Sequence, residues 1–305
     1  MRCFHVETVY PRGSLSTNMP QPLKSLNFTK KISRKPRKMA LNIPDSVISS
    51  SLQNPPFFAD KMHMLKVANL LKTFKKSNAV DHLSFEVMPG EVLGLLGPNG
   101  AGKTTTLRAI AGVMSFDKGE IAIDNHSIVN SAIEAKRRMA YLPDQSTFFD
   151  NLTCWEHVRF VASVYKVEDY ENKGRALFDR LELTEKINEF PSELSKGMRQ
   201  RLGLICALLH SPKLLLLDEP MTGLDPKGIR TVNEIIKEIS AAGGSVILSS
   251  HLLSILEEVC TKVLVMDHGK SKLYGTVEEI RSKVRELGKH ASLEDMFFHA
   301  TKDAA

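Results

Sequence analysis

Residues 97–104 read "GPNGAGKT", which matches the pattern G-x-x-x-x-G-K-[ST] of a glycine-rich loop closed by a lysine and a hydroxyl residue. Glycines here let backbone N–H groups curl around an anion, and a helix that starts at the loop adds a partial positive charge. The apolar "EVLGLLG" before the loop predicts a strand, and "KTTTLRAIAGVM" after it has helical apolar spacing. The stretch therefore predicts a phosphate-binding loop between a strand and a helix.

Two side chains of this loop have expected roles of their own. Lys103 is expected to reach the β- and γ-phosphates of a nucleotide, and the Thr104 hydroxyl is expected to ligand Mg²⁺. The residues of this stretch that we expect to bind the nucleotide are Gly97, Pro98, Asn99, Gly100, Ala101, Gly102, Lys103, Thr104 and Thr105.

A second stretch, "KLLLLDEP" at residues 213–220, predicts a strand buried on both faces, because its four consecutive leucines leave no polar side. The acid pair at its carboxyl end lies where open α/β sheets bind ligands. Asp218 is expected to hold Mg²⁺, through water, and Glu219 to orient and deprotonate the water that attacks the γ-phosphate.

Strand and helix patterns alternate along most of the chain, as in "KLLLLDEP", "IRTVNEIIKEISAAGG" and "SVILSSH". Continuous apolar strands of this kind favour a largely parallel sheet covered on both faces. The sequence therefore predicts an α/β fold of the P-loop NTPase class, with a small antiparallel β region near its start. The mostly helical residues 143–212 are expected to form a second lobe.

The net charge of +6 lies in the leader rather than in the body of the protein. Residues 1–60 contain nine Lys or Arg and three acids, so the totals of 41 and 35 leave 32 of each sign in residues 61–305. A nucleic-acid footprint would need the excess on the folded domain, so nucleic acid is not expected as a partner. No apolar stretch approaches the roughly 18 residues that cross a bilayer.

The leader itself, residues 1–62, is predicted to be disordered, because it is rich in Ser, Asn, Pro, Lys and Arg and has no sustained apolar periodicity. Its acid-poor composition resembles an organelle transit peptide, with the plastid favoured over the mitochondrion. The alternatives are a plain disordered tail, or translation that starts at Met39, Met62 or Met64. The predicted divisions are the leader, a nucleotide-binding domain at residues 63–290 and a tail at residues 291–305.

Together these motifs resemble the nucleotide-binding subunits of ATP-binding cassette (ABC) transporters over about residues 65–290. Three further matches follow in the order of that family. Phe74 matches the aromatic residue that stacks on adenine, Asp225 in "TGLDP" matches the acid of the D-loop, and His251 matches the switch histidine that contacts the γ-phosphate. The resemblance implies a RecA-like core with a helical subdomain, ATP and Mg²⁺ as cofactors, and Glu219, His251 and Lys103 as catalytic residues.

The family signature L-S-G-G-Q is altered here, because the sequence carries Leu194, Ser195, Lys196, Gly197 and Met198. In the family this loop faces the phosphate loop of a second cassette, so that two chains enclose ATP head to tail. The chemistry needs a hydroxyl and backbone N–H groups at a helix N-terminus, and Ser195 and Gly197 keep these features. We therefore expect the loop to function.

A second departure is "YLPDQ", where the family usually has Gln directly after Leu-Pro and this chain has Asp144. A carboxylate ligands Mg²⁺ at least as well as an amide oxygen, so Asp144 is a candidate third metal ligand. Its negative charge near the γ-phosphate could also slow the site.

The resemblance implies an ATP-hydrolysing subunit that works with a second cassette, either an identical chain or a paralogue, and drives a separate multi-span membrane permease. The stretches "YLPDQ", "LSKGMRQRL" and "SLEDMFF" are most similar to bacterial-type cassettes that pair with export permeases. The alternatives are an ABC protein that acts on nucleic acid or ribosomes, and a regulatory cassette that does not hydrolyse ATP.

Overall fold

A computed structural model of the protein describes residues 63–75, 77–250 and 253–283. These residues form two sheets, one of four strands in the order β2-β1-β4-β5 and one of six in the order β10-β9-β3-β8-β7-β6. The strands are β1 (Leu65–Phe74), β2 (Ser77–Val87), β3 (Val92–Leu96), β4 (Lys118–Ile123), β5 (His126–Ser127), β6 (Met139–Leu142), β7 (Leu214–Asp218), β8 (Ser245–Ser249), β9 (Lys262–Asp267) and β10 (Lys270–Thr276).

The helices lie between these strands. They are α1 (Lys103–Ile110), α2 (Ala132–Arg137), α3 (Cys154–Tyr165), α4 (Tyr170–Arg180), α5 (Lys196–Leu208), α6 (Pro226–Ala241), α7 (Leu253–Val259) and α8 (Val277–Lys283). Two short 3-10 helices, Thr184–Lys186 and Pro191–Glu193, lead from α4 to α5. Within the described residues, no helix is long and apolar enough to cross a membrane.

The four-stranded sheet is antiparallel throughout, and β1 lies between β2 and β4, with Leu65 paired to Val87 of β2 and to Ile123 of β4. In the six-stranded sheet β6, β7, β8, β3 and β9 are parallel and only β10 runs the other way. Because parallel strands end at one edge, residues that follow β3, β6, β7 and β8 are brought together there.

Alternate residues of β7 belong to two apolar cores. Leu215 and Leu217 join a core with the helical lobe, whereas Leu214 and Leu216 join a core with α1 and the antiparallel sheet. All four leucines are fully buried. A strand covered on both faces explains why its sequence has no polar alternation.

The predicted fold class is confirmed, and two local expectations change. Helix α1 ends at Ile110, although the apolar spacing predicted a helix as far as Met114, because Gly112 adopts a left-handed φ of 61°. Residues 126–142 form β5, α2 and β6, which the sequence did not reveal. The predicted leader and tail, residues 1–62 and 291–305, lie outside the described residues.

Candidate nucleotide-binding and catalytic site

The loop of residues 97–102 joins β3 to α1. Two of its glycines lie against neighbouring backbone, and the third forms an open turn. A Cβ on Gly97 would lie 2.4 Å from the Met266 carbonyl oxygen, and one on Gly102 would lie 2.3 Å from that of Ala79. Gly100, at the exposed tip, has φ of +83° and faces open space. The glycines therefore let the loop lie against β9 and β2 while its tip stays open for a ligand.

Lys103, the first residue of α1, turns its ammonium toward its own loop. Its Nζ donates to the carbonyl oxygens of Gly97 at 2.6 Å and Pro98 at 3.2 Å. Burial lowers the pKa of Lys103, while the carboxylates of Glu219 and Asp218 oppose that shift. The loop lysine and the acid pair are thus close enough to interact electrostatically.

Asp218 is the central acceptor of the site and is only 1% exposed. Its Oδ1 accepts from the Thr104 hydroxyl at 3.0 Å and from the Ser249 hydroxyl at 2.8 Å. Its Oδ2 accepts from the Tyr141 hydroxyl at 3.4 Å. Burial and the neighbouring carboxylate raise the pKa of Tyr141, although a hydrogen bond with Arg108 opposes the shift, so the phenol is neutral and donates to Asp218.

Glu219 has an uncommon backbone conformation, with φ of 50° in the left-handed region. Its N–H donates to the carbonyl oxygen of Ser249 at 3.2 Å and to the hydroxyl of Ser249 at 3.0 Å. Left-handed backbone in a residue other than glycine costs energy and persists only where neighbours hold it. The two bonds to Ser249 therefore hold the backbone of Glu219 in this conformation at the end of β7.

The donor set beside the loop fits a magnesium ion. The Thr104 hydroxyl and the Asp218 carboxylate are oxygen ligands, which Mg²⁺ prefers, and they already lie within 3.0 Å of each other. Mg²⁺ keeps several waters and takes one or two protein groups, so these two residues suffice. When bound, the ion would supply charge neutralisation for the phosphates.

Asp144 lies at the same edge of the sheet. Leu142 of β6 is in register with Leu217 of β7, so Asp144 and Glu219 both stand two residues beyond a paired position. Asp144 is partly exposed. This position is compatible with a role near the metal, and the role itself stays a prediction.

Phe74 ends β1 with its ring 45% exposed, which is unusual for a large apolar side chain. The Lys72 ammonium lies 5.2 Å from the ring centroid. An exposed aromatic face suits stacking on a planar base, so the predicted adenine contact is compatible with the structure.

The altered signature is the N-terminus of α5, where Ser195 is the N-cap. Its hydroxyl accepts from the Met198 N–H at 3.2 Å. A Cβ on Gly197 would lie 2.4 Å from the Gly223 carbonyl oxygen, so this glycine is required by the neighbouring "TGLDP" loop. Lys196 is exposed and Leu194 is buried.

The predicted D-loop acid, Asp225, is the N-cap of α6 and accepts from the Gly228 N–H at 3.0 Å. That bond is the largest cause that lowers its pKa, and Arg201 adds to the effect. His251, the predicted switch histidine, lies outside the described residues, two positions after Ser249, the last residue of β8.

Sequence reasoning missed three residues that organise the site: Tyr141, Ser249 and Arg201. Tyr141 and Ser249 reach Asp218 from the strands on either side of β7, and those contacts depend on strand order. The signal that could have found them is their position at the carboxyl ends of short apolar runs, "MAYL" and "SVILSS".

Comparisons with known proteins agree with this geometry. Residues 80–222 match the family model described as ABC transporter. EcsA of Bacillus subtilis (strain 168), an ABC-type transporter ATP-binding protein, is 31% identical over 246 residues, which cover 80% of this chain and 99% of EcsA. The linearmycin resistance ATP-binding protein LnrL of the same organism is 33% identical over 223 residues, 72% of each chain.

A solved structure described as the ATP binding subunit of an ABC transporter has the same fold. It matches with a TM-score of 0.74 and 33% identity, over 78% of this chain and 99% of that chain. The similarity extends over nearly the whole length of EcsA, and the phosphate loop, the acid pair and the fold are consistent with it. The chain therefore belongs to the ABC transporter family, as one of its ATP-binding subunits.

Proposed function

We propose that this subunit binds ATP with Mg²⁺, hydrolyses it within a pair of cassettes, and drives transport through a separate membrane-spanning subunit. The observation that carries the proposal is the Thr104–Asp218 contact of 3.0 Å, which joins the phosphate loop to the acid pair. It brings the residues of phosphate binding, metal binding and water activation to one edge of the sheet.

The proposed roles follow from these positions. Lys103 exchanges its contacts to Gly97 and Pro98 for phosphate oxygens, and the loop N–H groups bind the phosphates. Thr104 and Asp218 hold the metal ion. Glu219 orients the attacking water and accepts its proton, and His251 contacts the γ-phosphate.

The pairing of two cassettes rests on the signature loop. Ser195 presents a helix N-terminus, and Gly197 and Gly223 hold that end of α5 against the D-loop. We propose that this exposed end closes on the ATP of a second cassette, so that each nucleotide is bound by two chains.

The test of hydrolysis compares Glu219→Gln with wild type. Glu219→Gln is expected to accumulate an ATP-bound dimer, which gel filtration would detect, and Lys103→Ala is the control that should neither bind nor hydrolyse. Wild-type turnover no higher than that of Lys103→Ala would overturn the enzymatic part of the proposal.

The test of transport is affinity purification from membranes solubilised in mild detergent. We expect a multi-span permease to copurify, and the similarity to export-type cassettes, together with a relative named for linearmycin resistance, favours export. Recovery of ribosomes or nucleic acid instead would favour the non-transport alternative.

We further propose that residues 1–62 direct the chain to an organelle, with the plastid favoured. The support is their basic, acid-poor composition. Sequencing of the mature N-terminus should find it between about residues 38 and 64, and an intact Met1 would contradict cleavage.

A further inference from the structure

Tyr141 is a phenol within the catalytic edge of the sheet that the expected chemistry leaves without a role. It lies on β6 in register with Leu216 of β7, and its side chain packs against the apolar core that contains Leu216. Asp218 is two residues further along β7, on the same face. The Tyr141 hydroxyl therefore reaches diagonally across the strand pair to Oδ2 of Asp218.

The two oxygens of Asp218 have different donors. Oδ1 accepts from Thr104 and Ser249, whereas Tyr141 approaches Oδ2. Thr104 belongs to the phosphate loop, and in the proposed function its hydroxyl turns to the metal ion. Ser249 and Tyr141 then remain, one on each oxygen, and both lie on strands of the rigid sheet.

Apolar packing alone does not account for a tyrosine at this position. A phenylalanine would fill the same space beside Leu216, and a buried hydroxyl is favourable only where it finds a partner. The Tyr141 oxygen accepts from the Arg108 guanidinium and its hydroxyl donates to Asp218, a carboxylate that is only 1% exposed. A carboxylate at that depth needs donors to fix its orientation.

We propose that Tyr141 is a positioning residue that holds Oδ2 of Asp218 and so sets the affinity of the site for Mg²⁺ bound with nucleotide. The inference rests on the proposed function, because it needs Asp218 to be a metal ligand. Tyr141 touches neither the nucleotide nor the metal ion and acts through Asp218.

The size of the effect follows from the geometry. A well-formed O–H···O bond is about 2.5–3.0 Å long, so the contact of 3.4 Å is longer than that range and correspondingly weak. Net contributions of such bonds span roughly twofold to tenfold in an equilibrium constant. We therefore expect Tyr141→Phe to weaken Mg²⁺-dependent binding about threefold.

The experiment measures ADP binding calorimetrically, with Mg²⁺ and with EDTA, in the full chain. The matched control is Tyr274→Phe, which removes a half-buried hydroxyl that donates from β10 to the Glu86 carbonyl oxygen of β2. Tyr141→Phe is expected to weaken ADP binding only when Mg²⁺ is present, while Tyr274→Phe matches wild type in both conditions. Binding of Mn²⁺ in the presence of ADP, followed by electron paramagnetic resonance, should show the same loss.

Each other outcome decides the question. Equal ADP affinity of wild type and Tyr141→Phe with Mg²⁺ would overturn the role of Tyr141 and leave the metal site intact. An equal loss with Mg²⁺ and with EDTA would show that the hydroxyl supports the local fold, through its contact with Arg108, and not the metal site. If wild type binds ADP equally well with and without Mg²⁺, the metal site itself is wrong, and this inference with it.

Discussion

Arg201 of α5, the helix that begins at the signature loop, donates to Asp225 at the start of α6, with Nη2 and Oδ1 2.5 Å apart. The guanidinium is largely buried, its side chain 14% exposed, and its Nη1 also contacts Glu182 Oε2 at 3.2 Å. Gly197 of the same helix lies against Gly223 of the D-loop, the "TGLDP" stretch that also contains Asp225. The signature loop and the D-loop therefore pack directly against each other.

This relationship predicts a pH dependence of stability. The pKa of Asp225 is lowered from its ordinary value of 3.8 by the Gly228 N–H first and by Arg201 second. A lowered folded-state pKa means that the unfolded chain binds the proton more readily, so the stabilisation is present above about pH 4 and is lost as the pH falls further. Asp225→Asn should be less stable than wild type at neutral pH, with a difference that shrinks below about pH 4. Urea denaturation measures the free energy of unfolding of both proteins across this pH range. A stability difference that stayed constant down to about pH 3 would refute the prediction.

The Gly197–Gly223 contact predicts that Gly197→Ala destabilises the protein. Alanine normally favours a helix over glycine by about 0.5–1 kcal/mol. Here the added Cβ would meet a backbone oxygen at 2.4 Å, and such overpacking costs roughly 1–3 kcal/mol. We expect the clash to exceed the helix gain and hydrolysis to fall as the signature end of α5 shifts. Lys196→Ala, on the exposed neighbour, is the folding control, and a gain of stability in Gly197→Ala would contradict the contact.

Much of this fold could be predicted because its decisive signals are local. The phosphate loop carries its own strand, turn and helix, and the four leucines of β7 indicate a strand covered on both faces. The turn between β9 and β10 is also local, since His268 and Gly269 both adopt positive φ.

The elements that escaped prediction owe their structure to distant partners. β6 is only four residues long, and its strand identity comes from pairing with β7, 75 positions away along the chain between Met139 and Leu214. The roles of Tyr141 and Ser249 follow from that strand order. The pairing of Arg201 with Asp225 likewise joins two different elements, α5 and the start of α6.

The ion pair between Arg180 of α4 and Glu238 of α6 joins the helical lobe to the core. It is bidentate, with both N–O distances 2.7 Å, and its side chains are 35% and 61% exposed. We predict a coupling energy of about 0.5–1 kcal/mol that falls at high salt, because exposed pairs are screened. A double-mutant cycle with alanine at both positions measures it.

A matched control for that cycle is the exposed pair of Lys237 and Glu258, which has a single N–O contact of 2.6 Å. Because a bidentate guanidinium is better ordered than an ammonium, the Arg180–Glu238 coupling should be the larger. Equal couplings would show that the fork geometry adds nothing at this surface.

Phe74 is predicted to recognise the base and not the phosphates. Phe74→Ala should weaken ATP binding about tenfold, since stacking of one base on an aromatic ring is worth roughly 1–3 kcal/mol. Tripolyphosphate, which has no base, should bind Phe74→Ala and wild type equally, and Phe74→Tyr should retain ATP affinity. Competition against a fluorescent ATP analogue measures all three. Parallel losses of ATP and tripolyphosphate affinity would show that the ring only supports the phosphate loop.

Asp144 offers a test of the second departure from the family pattern. Asp144 follows Leu142 by two residues, as Glu219 follows Leu217, and Leu142 and Leu217 are paired in the sheet. Asp144 therefore adds a third carboxylate at the edge where the γ-phosphate would lie. If Asp144 ligands the metal ion, Asp144→Ala should raise the Mg²⁺ concentration for half-maximal hydrolysis by about tenfold, the usual scale for loss of a metal-supporting group.

Asp144→Gln restores the residue typical of the family and separates the two effects of the carboxylate. An amide oxygen still ligands Mg²⁺ but carries no charge, so repulsion of the γ-phosphate is removed. We expect Asp144→Gln to keep the Mg²⁺ requirement near that of wild type and to turn over at least as fast. Turnover is measured as phosphate release across a Mg²⁺ titration, alongside Asp144→Ala and wild type. If both variants matched wild type in Mg²⁺ requirement and in rate, Asp144 would have no part in the metal site, and Thr104 and Asp218 would be its only proposed protein ligands.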